Sequence, residues 1–258
     1  MKRFFVTLFL FILTFLFKVN SFAFTLEEVK ADLEENIEDG SVIGLGVMYP
    51  VRPYKGVDND IYAVPIASLE YKRFFIDGAS FGFNLIDKEA FKFSLVGNPR
   101  FGGYEADDSP DFSGMQGREW SFDAGLRTLL KGKVFAFSIT GLSDLLNEHQ
   151  GQEVNAVLSA KILQEFLKLR IGIAWLSNDL VDYYYGVRSS EATATRSEYA
   201  PSSTVNYLAG LTIGIPIRER WALVADLQYE FLGDEIKDSP LIDENGIARY
   251  ILGMVYRF

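Results

Sequence analysis

Seven separate stretches of this chain alternate apolar and polar residues one by one, and that repetition leaves few folds open. Phe91, Phe93 and Leu95 alternate with Lys92, Ser94 and Val96, and Trp120, Phe122, Ala124 and Leu126 with Glu119, Ser121, Asp123, Gly125 and Arg127. The pattern returns near Phe135–Thr140, Leu167–Trp175, Val205–Gly214 and Trp221–Phe231, and closes the chain at Tyr250–Phe258. A period of two marks a strand with one apolar and one polar face. Few soluble domains sustain it over so many segments. Alternation alone does not say which face is inside. The polar faces, however, carry both signs in near balance: Lys92, Arg127, Lys161, Lys168, Arg170 and Arg257 against Glu119, Asp123, Glu153, Asp226 and Glu230. A watery or salt-bridged barrel interior has that composition, so the expected fold is all-β, a transmembrane antiparallel β-barrel.

The other end of the chain predicts where such a barrel goes. Met1-Lys2-Arg3 is a short positive segment, and Phe4 to Phe17 is an apolar run of 14 residues. Ser21-Phe22-Ala23 then supplies the small residues a signal peptidase reads. Residues 1–23 are expected to be a cleavable secretory signal, because the run is shorter than the roughly 20 residues a spanning helix needs. There is no Cys, which excludes disulfides, thiol chemistry and cysteine metal sites. Losing Lys2, Arg3 and Lys18 moves the formal charge from −10 to −13, which excludes nucleic acid as a partner. Residues 24–40 are acidic, with a weak helical spacing of Leu26, Val29, Leu33 and Ile37, and read as a periplasmic lead-in. The barrel is expected over 41–258.

The connections alternate too. Lys131-Gly132, Gln164-Glu165 and Arg218-Glu219 are tight, whereas 98–117, 144–151, 178–203 and 233–246 are long. Short periplasmic turns and longer extracellular loops are the outer-membrane arrangement. Counting back from Phe258 on the periplasmic side puts every long loop outside. Asp77-Gly78 reads as a hairpin turn, and the count comes to about twelve strands, or ten if 61–90 contributes one hairpin fewer. Tyr49, Tyr71, Trp120, Trp175, Trp221, Tyr250 and Tyr256 fall near strand ends, as interfacial aromatics do.

Little in the chain points to chemistry. His149 is the single histidine. Beside Ser143 and Asp144 it would suit a barrel hydrolase only if the three converged; otherwise it is a solvated loop residue. The loop acids Asp58, Asp60, Glu105, Asp107, Asp108, Asp111, Asp234, Glu235 and Asp238 match no calcium-loop spacing and read as solvated. No catalytic residue, metal ligand or cofactor is expected. With the interior charges nearly cancelling, the lumen reads as narrow or occluded.

Several loop segments do not follow from barrel physics. Gly44-Leu45-Gly46-Val47 with Pro53-Tyr54-Lys55-Gly56, Val64-Pro65 and Tyr71 comes first, then Tyr184-Tyr185-Gly186-Val187 with Tyr199 and Pro201. Asp234-Glu235 with Asp238-Ser239-Pro240 follows, and Tyr256-Arg257-Phe258 closes the chain. In this order they resemble the MipA/OmpV family of outer-membrane proteins, the family of the MltA-interacting protein, along nearly the whole mature chain. Between them only Asp144 and Gly151 fit the family pattern. Gly253, Tyr256 and Phe258 resemble the signal read by the barrel-assembly machinery, with Ile251 departing from it.

The resemblance implies a Gram-negative outer-membrane protein, in contact with outer-membrane lipid and lipopolysaccharide. It implies a non-enzymatic scaffold between a murein-degrading lytic transglycosylase and a murein-synthesising penicillin-binding protein. A small-solute porin, an adhesion or stress-response barrel, and a lipid-modifying barrel hydrolase remain alternatives. A scaffold's contacts belong on the periplasmic side, which makes Glu27, Glu28, Asp32, Glu34 and Glu35 the expected patch, with Gly186 and Asp238-Ser239-Pro240 read as turn formers.

Overall fold

The computed structural model describes residues 40–163 and 166–258. The expected signal, most of the acidic lead-in with its contact patch, and the Gln164-Glu165 turn lie outside the described residues. Those described form twelve strands: β1 (Val42–Val51), β2 (Tyr62–Tyr71), β3 (Phe74–Asp77), β4 (Ser80–Lys88), β5 (Phe91–Arg100), β6 (Ser121–Lys131), β7 (Phe135–Asp144), β8 (Gln152–Ile162), β9 (Leu167–Leu176), β10 (Thr204–Arg218), β11 (Trp221–Phe231) and β12 (Gly246–Arg257). Each pairs antiparallel with its sequence neighbours, and β12 returns to β1 from Val42↔Arg257 to Val51↔Ala248, closing the barrel. Closure is what lets strands cross lipid, since unpaired backbone groups there cost several kcal/mol each.

The two faces of the strands sort as the alternation requires. Leu45, Leu126, Ile171, Tyr207 and Leu252 are exposed on the outer surface. The intervening Asn84, Lys92, Ser94, Asp123 and Asn206 are buried inside. In β12, Tyr250, Leu252 and Met254 are exposed while Val255 is buried. Trp221 and Tyr256 meet edge to face at 5.4 Å, and Tyr256 meets Phe258 at 5.3 Å, an aromatic cluster at the end away from the long loops. The seam between β12 and β1 is close. A Cβ on Gly44 would stand 2.1 Å from the Met254 carbonyl oxygen, and one on Gly253 2.6 Å from that of Leu45.

Every long connection lies at one end of the barrel. Residues 52–61, 101–120, 145–151, 177–203 and 232–245 share it, with the tight Gly78-Ala79 turn. One interior charge was misplaced by the alternation: Glu119 belongs to the 101–120 connection and is exposed, because β6 begins only at Ser121.

β3 is only four residues long, and its shortness leaves a notch in the wall. Tyr62–Ala67 of β2 pairs with β1 alone, and Asn98–Arg100 of β5 pairs with β6 alone. Gly78 N–H donates to the Ala67 carbonyl (2.8 Å), so the odd-numbered residues of β2 aim their backbone groups into the notch. The same parity in β5 aims Pro99 at it from the other side. Pro65 and Pro99 therefore sit on the two free edges. A residue without an N–H is tolerated there and blunts pairing with a foreign strand.

An arginine at Leu252 would face the hydrocarbon and cost about 2–4 kcal/mol. Urea unfolding of the barrel in lipid vesicles should show that loss for Leu252→Arg. Gly214→Ser, whose Cβ would meet nothing within 4 Å, should unfold like the wild type.

Candidate functional site: the outer mouth

Three long loops leave the barrel at equal thirds of its circumference. Residues 52–61 follow β1, 101–120 follow β5 and 177–203 follow β9, each four strands from the next. Their aromatic rings nevertheless touch. Tyr54 of the first meets Tyr104 of the second at 5.1 Å and Phe112 at 6.1 Å, and stacks on Tyr185 of the third at 5.8 Å. Loops rooted so far apart can meet at one point only over the barrel axis. The mouth is closed by a core of its own, in which Phe112, Leu180, Val181, Ile236 and Leu241 are almost completely buried.

The local sequence explains how the loops hold this shape. Helix α1 (Asn178–Tyr185) places Leu180, Val181 and Tyr184 on one buried side. The carboxylate of Asp179 in its first turn favours the positive end of the helix dipole. The Ser177 hydroxyl before it accepts from Gln152 N–H (2.8 Å), fixing the helix to β8. Gly186 ends the helix in an extended conformation (φ −75°, ψ 155°), not the tight turn expected of it. Glycine is needed because a Cβ would stand 2.5 Å from the Asp182 backbone carbonyl oxygen, which cannot move aside as its side chain could. Asp234–Lys237 is a single helical turn, α2, closed by Asp238.

The motif residues converge here from remote parts of the chain. Tyr54 OH donates to the Tyr184 carbonyl (3.2 Å), Lys55 N–H to Leu241 O (2.9 Å) and Asp243 N–H to Pro53 O (3.2 Å). Lys55 Nζ reaches Pro240 O at 2.9 Å, and Ser239 Oγ donates to Tyr185 O at 2.6 Å. Val187 bridges to Tyr199, whose hydroxyl donates to Glu235 O (3.0 Å). Gly56 lies at φ +64°, where a Cβ would also press on Ser109 Oγ at 2.6 Å. Gly253, Tyr256 and Phe258 are elsewhere, in or beside the last strand.

A buried ion pair locks two of the loops together. Arg118 grips Glu191 through both carboxylate oxygens, at 3.0 and 3.2 Å, and donates through Nε to Tyr183 O at 2.6 Å. Arg196 donates to the carbonyls of Glu191 (2.7 Å), Ser113 (3.1 Å) and Asp111. Neither contact is visible in the sequence, since the partners stand 73 and more than 80 residues apart. The available signal was the apolar pairs Leu180-Val181 and Leu241-Ile242, which solvated loops do not need. Burial alone would raise the Glu191 carboxyl, but hydrogen bonds from Arg118 and from the N–H groups of Gln116 and Arg188 outweigh it and hold it below its ordinary value. Burial pushes the phenol of Tyr104 up to about 12, and that of Tyr54 well above the ordinary range.

Beneath this core lies a charged layer. Arg100 binds Asp123 through Nε and Nη2 (2.8 and 2.7 Å) and also reaches Glu153. His149 is no solvated loop residue but is buried against Asp123, with Nε2 at 2.9 Å from Oδ1. Gly151 N–H donates to its Nδ1 (3.0 Å), which assigns the proton to Nε2 and commits both nitrogens. Asp144 accepts from the N–H groups of Leu146, His149 and Gln150 (2.9, 2.7 and 2.9 Å) and from Ser121 Oγ (2.7 Å). Ser143 is exposed on the other face of β7. The hydrolase constellation is therefore not assembled. Oxygen and nitrogen atoms of Asp123, Asp144 and His149 do lie within 4.8 Å of one another. Their hydrogen bonds make them a clamp on the 145–151 loop.

The family model described as MltA-interacting protein MipA matches residues 43–258. The putative outer membrane protein YiaT of Escherichia coli K12 is 28% identical over 222 residues, 84% of this chain and 90% of the relative. The MltA-interacting protein of the same strain is 26% identical over 223 residues, 84% of this chain and 89% of the relative. Among solved structures, the NanC porin aligns with a TM-score of 0.41 at 7% identity, over 84% of this chain and all of that one.

Glu191→Gln would leave Arg118 buried without its counter-charge, at a cost of about 3–5 kcal/mol to the loop core. Trypsin should then cut after Arg188 or Arg196 in a barrel that still runs as a folded, heat-modifiable band, while the wild type resists. A carboxyl held low contributes stability that is complete above the ordinary Glu value of 4.5 and is lost as pH falls through the lowered one. The near-ultraviolet circular dichroism of the packed tyrosines should weaken over that acid range in the wild type, and far less in Glu191→Gln.

Proposed function

This chain belongs to the family of the MltA-interacting protein MipA, and from that premise we propose that it is a non-conducting, non-enzymatic scaffold of the outer membrane. In this reading it holds a murein-degrading lytic transglycosylase, and with it a murein-synthesising penicillin-binding protein, against the inner side of that membrane. The carrying observation is the ring-to-ring meeting of Tyr54, Tyr104, Phe112 and Tyr185 over the axis. A mouth closed by a packed core suits an anchor and opposes a free solute channel. A relative named for its interaction with MltA supports the choice of partner. The acidic segment 24–40, with Glu27, Glu28, Asp32, Glu34 and Glu35, offers the contact patch. Gly253, Tyr256 and Phe258 serve as the assembly signal, and lipopolysaccharide surrounds the loops.

Two measurements test this reading. In planar bilayers the folded barrel should give no stepwise current; regular, ion-selective openings would favour a porin. The purified barrel should capture a lytic transglycosylase from periplasmic extract. Deleting residues 24–40 should abolish that capture, and undiminished capture would remove the acidic patch from the account.

A further inference from the structure

The notch beyond β3 leaves backbone groups of the wall without a partner strand at the depth of the bilayer. On β2 the odd-numbered residues aim toward it, and the Ala67 carbonyl is engaged there by Gly78 N–H at 2.8 Å. Among the described residues, the Ala63 N–H and C=O, the Pro65 C=O and the Ala67 N–H have no hydrogen-bond partner. Ala63 and Pro65 stand opposite Val47 and Leu45 of β1, whose side chains are exposed on the lipid-facing surface. Pro99 adds a carbonyl from the far edge, but it is buried whereas Ala63 is exposed, so β2 is the accessible side. The notch is also framed. Ser80 Oγ donates to Asn98 Oδ1 (2.8 Å) at its foot. Across its top Arg52 donates to Tyr62 OH (2.8 Å) and pairs with Asp108 at 3.9 Å, tying the 52–61 loop to the 101–120 loop.

Backbone polar groups that face hydrocarbon have to be satisfied by something. Proline on both edges disfavours a pairing strand. The same two prolines remove N–H donors, which leaves carbonyl acceptors in the majority. A complementary occupant therefore donates hydrogen bonds and reaches the wall from within the membrane. We propose that the notch is a lateral binding site for a membrane amphiphile whose head group carries hydroxyl or ammonium donors. The head bonds the Ala63 and Pro65 carbonyls, and the chain lies in the outer leaflet beside Leu45 and Val47. The site opens to lipid and not to outside water, so it is compatible with the closed outer mouth. It does not rest on the scaffold reading.

The chain has no Cys, so a single fluorophore can be placed at the notch through Ala63→Cys, or on the paired wall through Val47→Cys. Each folded, full-length barrel is reconstituted in phosphatidylcholine vesicles. It is then titrated with lipids that carry a quencher high on the chain and an ethanolamine, a glycerol or a choline head. Choline offers no donor, and one net hydrogen bond shifts occupancy by roughly two- to tenfold. Quenching at position 63 should favour the ethanolamine lipid, the glycerol lipid or both over choline by about that factor. The head preferred says whether ammonium or hydroxyl is bound. At position 47 the three heads should quench alike. Inserting two residues on each side of the Gly78-Ala79 turn would extend β3 and β4 along the free edges, and the preference at 63 should then vanish. Equal quenching by all three heads at 63, or the same preference at 47, would overturn the proposal. Disulfide-linked dimers of unlabelled Ala63→Cys in vesicles would also overturn it, by making a second copy of this chain the occupant.

Discussion

The structure depends on one meeting point. Loops that leave the barrel a third of a turn apart bring Tyr54, Tyr104, Phe112 and Tyr185 into contact, and no arrangement of the rim does this except over the axis. Once the rings meet, water is excluded from the surrounding loop backbone. That exclusion explains the dense hydrogen bonding around them: Lys55 to Leu241, Ser239 to Tyr185, Arg118 to Glu191 and Arg196 to three carbonyls. The Arg100–Asp123–His149 layer below needs the same closure, because its buried charges are stable only when paired and fully hydrogen bonded.

The barrel supplies the fixed points for that meeting. Pairing of β1 with β12 sets the circumference, and close approach at Gly44 and Gly253 sets the seam. The wall is not uniformly bonded. Where β3 stops at Asp77, β2 and β5 face each other across a notch, and Pro65 and Pro99 blunt its edges. A sheet that shortens one hairpin without exposing a pairing edge satisfies both the bilayer and the risk of aggregation.

Most of the barrel was legible in the sequence because the physical signal is local. Each strand writes its own period of two, and lipid outside with water inside keeps that period unusually clean. The β3 hairpin was hardest to read, since four residues contain little periodicity. The mouth was mostly illegible. His149 looked solvated because its partner Asp123 lies 26 residues away, and Glu191 gave no hint of Arg118 at 73. Loop residues carry no repeat, so their contacts follow from where the strands deliver them. The motif segments did mark the place. Pro53-Tyr54, Tyr184-Tyr185 and Asp238-Ser239-Pro240, distant in sequence, are neighbours in the cap. Their meaning as one packed unit appeared only when the thirds of the circumference were joined.

Closure of the outer mouth is the claim from which the rest descends, and a single cysteine tests it most directly. The chain contains no Cys, and a side chain at Gly214 would stand in open space on the inner wall. Gly214→Cys in intact cells should resist a charged, membrane-impermeant thiol reagent supplied from outside. It should react promptly once the reagent is admitted to the periplasm. Rapid labelling from outside in a folded barrel would contradict the cap and, with it, the reading of this chain as a closed protein.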